Sequence, residues 1–104
     1  MNLSPDLAAP SSLRLLLETR LRDREAANDQ RYADNVLDTT EEYLRQCAHF
    51  EQLGSDNPVA IAALAKLKLA HVETLALLGQ THAAEIKSIA RLRETLLPQE
   101  CPRN

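Results

Sequence analysis

The sequence predicts an all-α protein: a long antiparallel helical hairpin whose two helices pair with a second copy as a four-helix bundle. Three observations predict it. Among 104 residues there are only two glycines and three aromatics against many Ala, Leu, Glu and Arg, a composition that favours helix over sheet. One short stretch, Gly54 to Pro58, reads as one helix stopping and another starting. On either side of it apolar residues recur with helical spacing. The length allows one domain with a modest core.

Residues 1–11 hold two prolines and little pattern, and read as a loose arm. The first helix is expected over 12–53, capped by Ser11 or Ser12 and stopped at Gly54. Its strongest seam runs through Ala33, Leu37, Thr40, Leu44 and Cys47, with Val36, Tyr43 and Phe50 repeating every seven residues beside it. The polar stretch 22–31 interrupts that seam, and Thr39 with Glu42 has capping-box spacing. A break in this helix near 28–39 is therefore one expectation, and one long imperfect helix is the favoured one.

The turn occupies 54–57, and the second helix 58–97. Asn57 suits the N-cap, Pro58 the first helical position, and Pro98 ends the run. Gly79 falls inside it without changing the apolar phase. Residues 98–104 read as a second loose tail. Each helix is then roughly 60 Å long, and so short a link folds them back on each other. Residues 12–53 carry six Arg against nine acids, residues 58–97 five Lys and Arg against three Glu, so the helices have opposite net charge.

The second helix is too apolar for one neighbour, because its large side chains cover more than the stripe of about 100° that a single contact needs. Leu64, Val72, Leu75, Leu78, Ile86 and Ile89 are the candidate interaction face, shared in an unsorted way with the intrachain core. In the hairpin the polar stretch 22–30 lies opposite about 81–89, where the first helix offers little to cover Ile86 and Ile89. A third surface is expected there. A homodimer is favoured over a foreign protein, since closed dimers are the commonest oligomers.

The remaining chemistry is sparse. No nucleophile lies near a base, no glycine loop could cradle phosphate, and no carboxylate pair is placed for acid–base work, so the reading is non-enzymatic, without cofactor. His49, His71 and His82 have no metal-ligand spacing, so no metal is expected. His82 falls on the seven-residue line through Leu75 and Ile89, as a packed histidine or a pH-sensitive contact. Cys47 and Cys101 would stand far apart in a hairpin, too far for an intramolecular disulfide. Arg20, Arg22, Arg24 and Arg31 alternate with acids, and the net charge is −3, which reads as a solvated face rather than a nucleic-acid surface. No apolar run reaches the roughly 18 residues of a membrane span, and no cleaved signal is apparent. A cytoplasmic protein, or one exported without a cleaved signal, is expected.

The stretch "DNPVAIAALAKL", Asp56 to Leu67, resembles the turn of the needle and inner-rod subunits of bacterial type III secretion systems. The resemblance implies a small helical hairpin that assembles into filaments. The chain departs from that pattern in its length and in its polar, proline-containing end. The leading functional reading is an adaptor or small chaperone-like interaction module. An assembly subunit of the secretion type and a small dimeric nucleic-acid-binding regulator stand as alternatives.

Overall fold

A computed structural model describes residues 4–98, with side chains from Ser11 onward. It consists of α1 (Ser4–Glu51) and α2 (Pro58–Leu96), packed against each other as a hairpin, with no strand among the described residues. No described helix is long and apolar enough to cross a membrane.

The link is built as its residue types demand. Gly54 has φ +100°, a conformation that a side chain disfavours. Its N–H bonds to the Glu51 carbonyl at 3.1 Å, and its carbonyl accepts from Asn57 N–H at 3.2 Å. The Asn57 side-chain oxygen then accepts from the N–H groups of Val59 (2.9 Å) and Ala60 (3.2 Å). Those are two of the donors that a helix start leaves orphaned, and Pro58 has no N–H to satisfy.

One expectation for α1, its start, is corrected, and the favoured one, a single long helix, holds. It begins at Ser4, inside the stretch read as an arm, and not after Ser11 or Ser12. Pro5 falls in the first turn, where its missing N–H costs nothing. There is also no break at 28–39. Glu42 does not turn back to cap; its carboxylate bonds forward to Arg45 and Gln46. Residues 99–104, read as a loose tail, lie outside the described residues, and Cys101 with them. Cys47 is a free thiol.

The chain divides into two compact units, one holding residues 30–82 around the turn, the other the residues up to 29 with those from 83 onward. In the turn unit, Val36, Thr39, Tyr43 and Phe50 of α1 are half-buried, as are Leu64, Leu67, Leu75 and Leu78 of α2. Leu37 and Leu44 are exposed. The line read as secondary is thus the contact line, and most of the line read as the seam is turned outward. Ala60 is buried at the start of α2.

In the terminal unit, Leu21, Ile89 and Leu97 form a small core, with Leu17 and Leu92 against it. Ile89 is fully buried. The polar interruption of α1 is used here for ion pairing. Arg24 forks onto Glu85 at 2.5 and 2.9 Å, and Arg93 reaches both Glu18 (3.3 Å) and Glu25 (3.1 Å). These carboxylates raise the pKa of both guanidinium groups through their hydrogen bonds, so both stay charged.

Candidate interaction face

The candidate residues of α2 separate into three groups. Leu64, Leu75 and Leu78 are half-buried on the contact line of the turn unit. Ile89, expected on the interaction face, is instead the core of the terminal unit, because Leu21, at the edge of the polar stretch, supplies the cover that seemed missing. Val72 and Ile86 remain outside, 54% and 47% exposed.

Sequence reasoning missed the full extent of the exposed apolar surface. In the turn unit, Ile61 and Leu69 stand out beside Val72 on α2, with Leu69 60% exposed. Spacings of four and three through Ile61, Ala65, Leu69, Val72 and Ala76 place all five on one stripe of α2. On α1, Leu37 and Leu44, seven residues apart, make a second stripe, and Leu44 is 59% exposed. At 100° per residue, each stripe lies about 110° from its helix's contact line, in the same rotational sense. In an antiparallel pair, equal displacement in the same sense points both stripes to one side. The turn unit therefore carries two apolar stripes on one side, with exposed Lys68 of α2 and half-buried Thr40 of α1 between them. The signal was present in the sequence as the Ala33–Leu37–Leu44 line, but it was assigned to the intrachain contact.

The far edges of the stripes are charged. On the outer edge of α2 stand Lys66 and Glu73, seven residues apart; on that of α1 stand Asp34 and Glu41, also seven apart, and all four are exposed. Beneath the face, on the contact line, two ring pairs hold the helices together. Tyr32 stacks on His82 with centroids 4.6 Å apart, and Tyr43 on His71 at 4.2 Å. A hydrogen bond to Cys47, then burial, pushes the Tyr43 phenol above its ordinary pKa, with the charges of Cys47 and Glu51 adding to it. The His71 Nδ1 is buried without a hydrogen-bond partner.

Other candidate chemistry does not assemble. Among the described residues no group of three His, Cys, Asp or Glu could hold a metal ion. Of the arginine cluster, Arg22 pairs with Glu18 at 3.4 Å and Arg24 with Glu85, so their charges are balanced locally. The groove beside the terminal core, lined by Arg14, Glu18, Arg93 and Glu94, holds an arginine already committed to carboxylates. Comparison with protein-family models, with curated proteins and with solved structures gives no match.

Proposed function

We propose that this chain is a non-enzymatic protein-binding hairpin, and that it binds through the two-helix face of Leu37, Leu44, Ile61, Leu69 and Val72. One observation carries the reading: large apolar side chains are exposed together on one side of the turn unit, while the buried apolar side chains of the whole described chain are few. Exposed apolar side chains gathered on one side and flanked by charge are a usual form of protein-interaction site. Two helices side by side present a groove into which the apolar stripe of another helix can pack, with burial contributing about 25 cal/mol per Å². The stacked rings beneath it fix the spacing of the two helices, so the groove is preformed.

A filament subunit of the secretion type would use the same face repeatedly. The Asp56–Leu67 likeness has a local cause as well, since Asn57 and Pro58 are a helix start.

The test combines mass in solution by light scattering with binding of an apolar fluorescent dye. A working face gives either a self-associated species or a monomer that binds dye. The signal should fall sharply in Leu69→Glu with Val72→Glu while helicity by circular dichroism is kept. A wild-type monomer that binds no dye overturns the proposal.

A further inference from the structure

We draw no further inference here: the strongest candidate, the surface patch of the turn unit made by Leu37 and Leu44 of α1 with Ile61, Leu69 and Val72 of α2, is parted by exposed Lys68, and nothing in the structure shows what covers it.

Discussion

Tyr43 lies flat on His71, the two ring planes only 7° from parallel. Eleven residues before Tyr43 and eleven after His71, Tyr32 and His82 repeat the contact at 25°. Eleven residues are close to three helical turns, so both stacks sit on one contact line. Such pairs contribute about 0.5–1.5 kcal/mol beyond the area they bury. A thermodynamic cycle of Tyr43→Leu, His71→Leu and the double variant should therefore give a coupling of about 0.5–1 kcal/mol in chemical denaturation. Additive single effects would show the stack to be ordinary packing.

The hydrogen bond from Tyr43 to Cys47 gives a pH signature. A folded-state pKa raised above the unfolded one means that the stabilisation is complete below the ordinary tyrosine range. It is lost as pH climbs through the raised value. Ultraviolet absorbance titration should find Tyr43 ionising later than free tyrosine. Cys47→Ala should bring that ionisation back toward the ordinary range, and an unchanged titration would remove the thiol as its cause.

The two glycines predict opposite outcomes for the same substitution. Gly54 has open space around it but a positive φ, so Gly54→Ala should destabilise by about 1 kcal/mol through backbone strain. At Gly79 an added methyl would sit 4.0 Å from the Tyr32 hydroxyl, an ordinary contact. Gly79→Ala should stabilise by up to about 1 kcal/mol, the helix-propensity difference. Thermal melts of both decide it, and a destabilised Gly79→Ala would mean that Tyr32 needs the missing side chain.

Ile86 and Ile89 stand three residues apart on α2 and should respond unequally. Ile89→Ala empties a fully buried position and should cost about 2–4 kcal/mol. Ile86→Ala removes an exposed side chain and should stay within about 0.5 kcal/mol. Equal losses in denaturant titration would contradict the burial of Ile89.

These contrasts show where the sequence was informative. Gly54, Asn57 and Pro58 act through their own backbone, so the turn and the start of α2 were legible to the residue. The phase of α1 was not. Ala33–Leu37–Leu44 and Val36–Tyr43–Phe50 run side by side, and both are apolar enough to be a seam. The choice between them is made across the gap, by His71 and His82 meeting tyrosines, which no one-helix pattern encodes. The same holds for residues 22–30. They read as poor cover, yet Arg24 and the carboxylates of Glu18 and Glu25 find partners more than sixty residues away. The exposed apolar side chains were half-legible for the same reason: Val72 reads as turned outward, whereas Leu37 and Leu44, also exposed, read as an intrachain seam.

The order of contacts from the turn outward has a kinetic meaning. Tyr43 and His71 are 28 residues apart, Arg24 and Glu85 61, and Glu18 and Arg93 75. Closing the longest of these from an unfolded chain costs about 0.9 kcal/mol more entropy than closing the shortest. Once Asn57 and Gly54 have set the bend, each contact shortens the loop that the next must close. Loop entropy thus favours closure from the middle of the hairpin outward, with Glu18 and Arg93 joining last of these pairs.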